Sequence, residues 1–205
     1  MPRHLAKNAP HSIQGRPSFH ATGRKAIRDL YLDRQGEKLL VPGDHLLMSI
    51  GMKRSLESLF VKTFGLPVAS SFLYEMGKEV GAHSARLLRE AGFTVMSPKN
   101  LPKAGQELAT LWGWKTLQTM ELDFHNKLFR SRLTGSAYVR NSRGKTPVCH
   151  FGRGSAAGTF SIVFGKSCES IEIACEGRRD DYCELMVGTP RRIARQAENF
   201  LPRDK

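Results

Sequence analysis

Residues 171–188 read IEIACEGRRDDYCELMVG, and this stretch decides how the C-terminal half of the chain folds. Two apolar runs flank a charged segment that begins at Cys175 and ends at Cys183. Cysteine is among the residue types most often buried, whereas the charged residues between the pair cannot form a core. The pattern predicts a β-hairpin with strands over residues 170–175 and 182–187 and the charged segment as its loop.

The roles open to Cys175 and Cys183 are a disulfide, a reactive thiol, a metal site or no joint role. The first 23 residues contain no apolar core of a secretory signal, so we expect a cytoplasmic protein. Disulfides rarely persist in that compartment, which makes a bridge between the two cysteines the weaker interpretation.

A metal interpretation needs further ligands, because zinc takes about four from thiolates, imidazoles and carboxylates. Glu172 lies on the first strand of the hairpin, and Cys149 begins the helix predicted before it. A set of Cys149, Glu172, Cys175 and Cys183 is therefore geometrically reachable, with the loop arginines available to offset its negative charge. From spacing alone the signal is weak, because seven residues between two cysteines is not a tight zinc knuckle, and the alternatives stay open. His150 is expected to be a polar residue at an exposed helix start, and Cys168 an ordinary thiol.

The charge of the chain is concentrated at its ends. The 205 residues carry a net charge of +13, and neither a membrane span nor an internal repeat is evident. Residues 1–25 contain five basic residues and no acid. We therefore divide the chain into a basic flexible tail (1–22), a single domain (23–188, core motif 113–188) and a basic C-terminal helix (189–205). Such ends can attract nucleic acid, anionic lipid or an acidic partner, or can serve only solubility.

The N-terminal half predicts a short hairpin and then helices. The hairpin spans residues 30–33 and 38–41, a first helix runs from Asp44 to Gly65, a second covers 67–91, and a weaker third covers 101–111. The apolar residues expected on the buried side of the second helix are Val68, Phe72, Leu73, Met76, Val80, Leu87 and Leu88. Gly77 and Gly81 share one face of this helix and indicate a close approach by a packed helix, a dimer partner or a ligand.

The C-terminal half predicts strands at 114–123 and 128–139, a helix over 148–164 that ends at Gly165, the hairpin, and a final helix after Thr189 and Pro190. The fold class is α+β, with N-terminal helices packed on an antiparallel sheet. The segment GRGSAAG at 152–158 superficially resembles a dinucleotide-binding loop, but its spacing is one residue too long and no strand precedes it. We expect its small residues to let the helix lie close to the sheet.

The motif TPVCHF at 146–151, then Gly158, then Glu172-x-x-Cys175-x-Gly177 and Asp181-x-Cys183-Glu184 resembles the 4-vinyl reductase domain family. That family includes proteins linked to bacteriochlorophyll synthesis and the sensory domains of aromatic-responsive bacterial activators, and its fold is related to Golgi transport-particle subunits. In the sensory members three cysteines and one glutamate hold a zinc ion in this order, which implies a closed, structural zinc site at Cys149, Glu172, Cys175 and Cys183. Leu185 departs from the aromatic residue usual after the last cysteine.

The resemblance further implies a pocket for a small hydrophobic, aromatic or tetrapyrrole ligand between the helices and the sheet. Candidate lining residues are Phe72, Met76, Trp112, Trp114 and Phe129. The function expected is a zinc-stabilised sensor or carrier that forms a homodimer through its N-terminal helices, which Gly77 and Gly81 would fit. Two alternatives stand beside it: an accessory factor or reductase of (bacterio)chlorophyll synthesis, for which no nucleotide or iron–sulfur motif is evident, and a basic adaptor that binds nucleic acid or another macromolecule.

Overall fold

The computed structural model describes residues 31–34, 37–40, 50–90, 99–103, 105–106, 116–136, 139, 144 and 147–200. Two short strands, β1 (Tyr31–Arg34) and β2 (Glu37–Leu40), pair antiparallel as the predicted hairpin. The predicted basic tail 1–22 and most of the third helix lie outside the described residues, although 101–103 and 105–106 are helical. No helix in these ranges is both long and apolar enough to cross a bilayer.

The long helical segment α1 (Ile50–Glu90) is broken where the sequence predicts one helix to end and another to begin. Gly65 has φ 78° and ψ 160°, a backbone conformation open mainly to glycine, and Pro67 follows in the first turn of the second part. The hydroxyls of Ser70 and Ser71 donate to the Pro67 carbonyl at 2.9 and 3.0 Å. These bonds occupy a carbonyl within the first turn after the break.

A four-stranded antiparallel sheet with the order β3-β4-β6-β5 forms the other layer. Its elements are β3 (Thr116–Asp123), β4 (Leu128–Thr134), α2 (His150–Phe164), β5 (Glu169–Ala174), β6 (Cys183–Gly188) and α3 (Pro190–Phe200). The α+β class and the hairpin β5–β6 are thus confirmed. Strand β4 ends at Thr134, earlier than predicted, because Gly135 has φ 64° and its N–H binds the Glu176 carboxylate instead of a neighbouring strand.

The two ends of the sheet are closed by the predicted caps. Gly165 ends α2 with φ 62°. The Thr189 carbonyl accepts hydrogen bonds from the N–H groups of Arg192 and Ile193, both at 2.9 Å, so α3 begins at Pro190. Ile193 packs on Leu128 and Met186, which places α3 on the face of the sheet opposite α2.

Helix α1 packs on α2 through glycines from both helices. A Cβ at Gly77 or Gly81 would lie 2.2 Å from the Phe151 carbonyl oxygen or 2.0 Å from that of Ser155, and a Cβ at Gly154 or Gly158 would lie 1.9 Å from the Tyr74 or Lys78 carbonyl oxygen. The glycines of segment 152–158 therefore admit α1, and not the sheet as we expected. The close approach at Gly77 and Gly81 is likewise to a helix of the same chain.

The side of α1 that is buried differs from the predicted one. Ala69, Leu73 and Ala85 are buried together with the two glycines, at the four-residue spacing of one helix face. The bulky residues predicted to be buried are instead exposed: Val68 58%, Phe72 50%, Met76 39% and Val80 45%. The prediction was wrong because a crossing this close takes the smallest residues and leaves the large apolar ones outside.

A polar cluster ties α1 to the edge strand of the sheet. The Tyr74 hydroxyl and the Lys78 ammonium each donate to the Glu169 carboxylate at 2.5 Å, and the Ser170 N–H donates to the Tyr74 oxygen at 3.0 Å. The Arg153 guanidinium of α2 lies 4.8 Å from the centre of the Tyr74 ring. Burial and the bond to Glu169 raise the pKa of Tyr74 to about 12.

Candidate metal centre

Four residues from three elements bring their ligand atoms together beside the hairpin. The sulfurs of Cys149, Cys175 and Cys183 and a carboxylate oxygen of Glu172 all lie within 4.8 Å of one another. Cys149 precedes α2, Glu172 lies on β5, Cys175 follows that strand, and Cys183 begins β6. The structure therefore brings together the whole set that the sequence predicted.

The sulfur separations fit a shared metal better than a disulfide. The Cys149 sulfur lies 3.8 Å from that of Cys183 and 4.0 Å from that of Cys175, and all the cysteines are free. A disulfide requires about 2.05 Å. Tetrahedral zinc with bonds of about 2.3 Å would hold its sulfurs about 3.8 Å apart. The disulfide interpretation is not what the structure shows, and the donor set fits zinc.

The protonation of the cluster shows why it suits a cation. Hydrogen bonding from the Cys149 and Cys183 thiols lowers the pKa of Cys175, and the same contact raises the pKa of Cys149. Burial, followed by the charge of Cys175, raises the pKa of Glu172 to about 8. Without a cation among them, neighbouring buried anions repel, so the four groups do not ionise together. A divalent ion would remove that conflict.

Glu172 has one oxygen available for such an ion. Its Oε2 accepts a hydrogen bond from the Cys149 N–H at 3.3 Å. Its Oε1 is buried and has no hydrogen-bond partner among the described residues. A buried carboxylate oxygen without a partner is costly, and a bound metal would satisfy it.

The charged loop supports the cluster from behind. The Asp180 carboxylate accepts from the Cys175 N–H at 2.7 Å and from Arg178, and the Glu176 carboxylate accepts from the N–H groups of Gly135 and Ser136 at 2.8 and 3.1 Å. Sequence reasoning assigned no role to Asp180 or Glu176, because their partners are backbone groups that no motif records.

The loop arginines do not face the ligands as we expected. Arg178 pairs with Asp180 at 2.8 Å, and Arg179 is exposed with φ 76°. Gly177 is needed for space, since a Cβ there would lie 2.6 Å from the side chain of Val148. The loop charges therefore serve mainly to shape the loop.

His150 differs from its expected exposed position. Both ring nitrogens are buried and have no hydrogen-bond partner among the described residues. Burial and the nearby Arg153 charge lower its pKa to about 4, so the ring is neutral. Cys168 is buried with Phe160, Phe164 and other apolar residues, apart from the ligand set, in keeping with an ordinary thiol.

The predicted pocket residues lie in separate places. Phe72 lines a surface cavity of about 520 Å³ on α1 with Pro67, Val68, Ser71 and Glu75. Met76 is exposed on the same helix, whereas Phe129 is buried and stacks on Phe160 with ring centres 4.0 Å apart. Trp112 and Trp114 lie outside the described residues. The pocket set remains a prediction.

Residues 131–189 match the family model of the 4-vinyl reductase domain, so this part of the chain is such a domain, as the resemblance predicted. All four candidate ligands fall within the match. No curated protein sequence matches the chain.

Solved structures share the fold. The phenol-responsive sensory domain of the transcription activator PoxR, solved with phenol, aligns at TM-score 0.67 and 19% identity over 90% of this chain and 100% of that domain. Trafficking protein particle complex subunit 3 from Naegleria fowleri, bound covalently to palmitic acid, aligns at 0.53 and 14% over 68% of this chain and 91% of that one. A vinyl-4-reductase family protein from Methanocaldococcus jannaschii aligns at 0.41 and 18% over 71% and 98%.

Proposed function

We propose that this protein is a sensor or carrier that binds a small hydrophobic or aromatic molecule in its 4-vinyl reductase domain. The observation that carries the proposal is the alignment of 90% of the chain with a sensory domain that was solved with phenol. A second structure with this fold carries a fatty acyl group. Both bound molecules are apolar over most of their surface, which is the class of ligand proposed here.

The proposed pocket lies between the helices and the sheet and uses Phe72, Met76, Trp112, Trp114 and Phe129. The cavity of about 520 Å³ beside Phe72 has a volume typical of small-molecule sites. It is open on one side, and a ligand there would cover apolar side chains that α1 exposes.

Ligand binding can be tested directly on the full chain. Native mass spectrometry of protein isolated from its source should show a co-purifying molecule. Phenol, a long-chain fatty acid and a tetrapyrrole should be compared in thermal unfolding, because a ligand at 100 times its Kd raises stability by about 2.7 kcal/mol. Neither a bound molecule nor a shift with any of these probes would contradict the proposal.

A matched pair of variants locates the site. Phe72→Ser should reduce the ligand-dependent shift, whereas Leu59→Ser should not, because Leu59 is 61% exposed on α1 but does not line the cavity. Equal loss in both variants would place the ligand elsewhere.

We further propose that Cys149, Glu172, Cys175 and Cys183 hold a structural zinc ion. The sulfur separations and the buried oxygen of Glu172 that has no partner support this assignment. With all four ligands from protein, the ion would have no open position and would act by joining α2 to the hairpin. Protein purified without added metal should contain about one zinc per chain by elemental analysis, and well-folded protein with far less zinc would overturn the assignment.

A homodimer through α1 is the remaining proposal. The glycines that suggested it are used inside the chain, so they no longer support it. The exposed apolar side chains of α1 do, because soluble monomers rarely expose a large apolar patch. Light scattering should give twice the chain mass, and Val68→Ser with Phe64→Ser should shift it towards the monomer. A wild-type monomer would refute this proposal.

A further inference from the structure

The outer face of the sheet, opposite α2, holds a carboxylate beneath two arginines. Glu184 is only 1% exposed although it lies on this face. Its Oε1 accepts from Nε of Arg130 and its Oε2 accepts from Nε of Arg132, the latter at 2.6 Å. A buried ion cluster is weak evidence for stability, because apolar side chains of the same volume often serve as well. The arrangement therefore calls for another reason.

The carboxylate fixes two like charges side by side at the surface. Arg130 and Arg132 occupy alternate positions of β4, about 7 Å apart along the strand. Each guanidinium is bonded through Nε and remains 35% exposed, and no second carboxylate pairs with either among the described residues. The Tyr182 ring supports Arg132 at 4.4 Å from its centre. The free edges of both guanidiniums thus present a fork of donors that matches a phosphate.

Helix α3 continues this row of arginines. Arg192 lies over Gly188, with its Cδ 3.5 Å from the position that a Cβ would take, and Gly188 pairs with Leu128, next but one to Arg130 on the same face. Arg191, Arg192 and Arg195 line a cavity of about 370 Å³ with Thr189 and Gln196. We call the set Arg130, Arg132, Arg191, Arg192 and Arg195 the arginine face.

The arginine face is net positive. The register places Glu121 opposite Arg130 and Asp123 opposite Leu128, so that the carboxylates on this side are Glu121, Asp123 and Glu184. Asp123 accepts from the Asn126 backbone and side chain at 2.8 and 2.6 Å and serves the turn. The remaining positive charge points to a polyanion.

The packing of α3 distinguishes between polyanions. An amphipathic helix binds a lipid surface by burying its apolar side in it, but Ile193 is 6% exposed and packs on the sheet. A broad sheet surface also cannot enter a duplex groove, whereas sheet surfaces with arginine and aromatic side chains accept extended single strands. We propose that the arginine face binds the phosphate backbone of single-stranded nucleic acid. This proposal is independent of the small-molecule ligand.

The test uses the full chain and a fluorescein-labelled oligouridylate of about 12 nucleotides, within the usual site sizes of single-strand binders. Anisotropy should be measured as a function of salt. Arg191→Gln with Arg195→Gln removes two exposed charges that form no ion pair in the described structure, and should raise Kd about tenfold and lower the salt slope by about 1.4.

A second variant and a control make the result specific. Arg130→Gln, Arg132→Gln and Glu184→Gln together remove the triad at a net loss of one charge, so a comparable rise in Kd would show the site and not the total charge. Lys62→Gln with Arg89→Gln removes two exposed charges on α1, on the other side of the molecule, and should change Kd less than twofold. Circular dichroism checks the folding of each.

Three results would overturn the proposal. The first is no binding of the oligonucleotide by the wild-type chain. The second is an equal loss in the α1 control, which would mean attraction by net charge alone. The third is tight binding to vesicles that contain phosphatidylserine, lost in the same variants while oligonucleotide binding is weak, which would assign the face to a lipid surface.

Discussion

Helix α2 is held at two places by two different kinds of contact. Its middle touches α1 through backbone atoms, because Gly154 and Gly158 bring no side chain to the crossing. Its start joins the hairpin through Cys149, whose sulfur lies 3.8 Å from that of Cys183. The crossing depends on shape and the cluster on chemistry, so the two contacts should fail under different changes.

The cluster should give the largest effect. Replacing Cys183 by serine is expected to abolish zinc binding and lower the free energy of unfolding by about 3–5 kcal/mol, because the remaining buried ligands would lose their cation. Zinc content and chemical denaturation measure this. Cys168→Ala, outside the cluster, should keep full zinc content and cost about 1 kcal/mol. Undiminished zinc in Cys183→Ser would exclude it as a ligand.

The crossing should come next. Gly158→Ala places a Cβ about where the Lys78 carbonyl oxygen lies, at 1.9 Å, so the helices must separate. We expect a loss of about 3 kcal/mol with zinc content unchanged. Gly105→Ala is the control, since its Cβ would meet Leu117 at an ordinary 3.6 Å. A neutral Gly158→Ala would show that the crossing is looser than described.

A smaller effect is expected where α1 meets β5. Tyr74→Phe removes a bond to Glu169 and one from the Ser170 N–H, at a cost of about 1–2 kcal/mol. Because the folded pKa of about 12 exceeds the unfolded value of about 10, the wild type should lose stability as pH rises between these values. The variant should lose less over that interval. Parallel curves for the two proteins would contradict the role given to Tyr74.

The smallest effect is expected at Arg179. This residue is exposed with φ 76°, so Arg179→Gly exchanges local strain for a more flexible unfolded chain. We expect a change within about 0.5 kcal/mol and full zinc content. A loss of zinc would restore the idea that this arginine compensates the charge of the cluster.

Much of the fold and of the cluster could be predicted from the sequence. The break at Gly65, the end of α2 at Gly165 and the start of α3 at Pro190 follow from local chemistry, because glycine and proline restrict the backbone wherever they stand. The resemblance supplied the order of the four candidate ligands, and the hairpin brings two of them to the same end of adjacent strands.

Partners distant in the chain could not be predicted. Gly77 and Gly154 each indicated a close approach, but nothing local says that they approach each other. The same crossing reversed the expected sides of α1, because periodicity marks apolar residues without saying which face a neighbour will cover. The burial of Glu184 likewise depends on the register that places two arginines of β4 beside it.

The short stretch of α2 between its two attachments sets a constraint on length. Five positions separate Cys149 from Gly154, and each residue turns a helix by about 100°. One residue inserted or deleted there would point the glycines away from α1 whenever the cysteine kept its place, or the reverse. The interval should therefore tolerate substitutions far better than changes in length, and homologues that differ here in length would need to have lost one attachment.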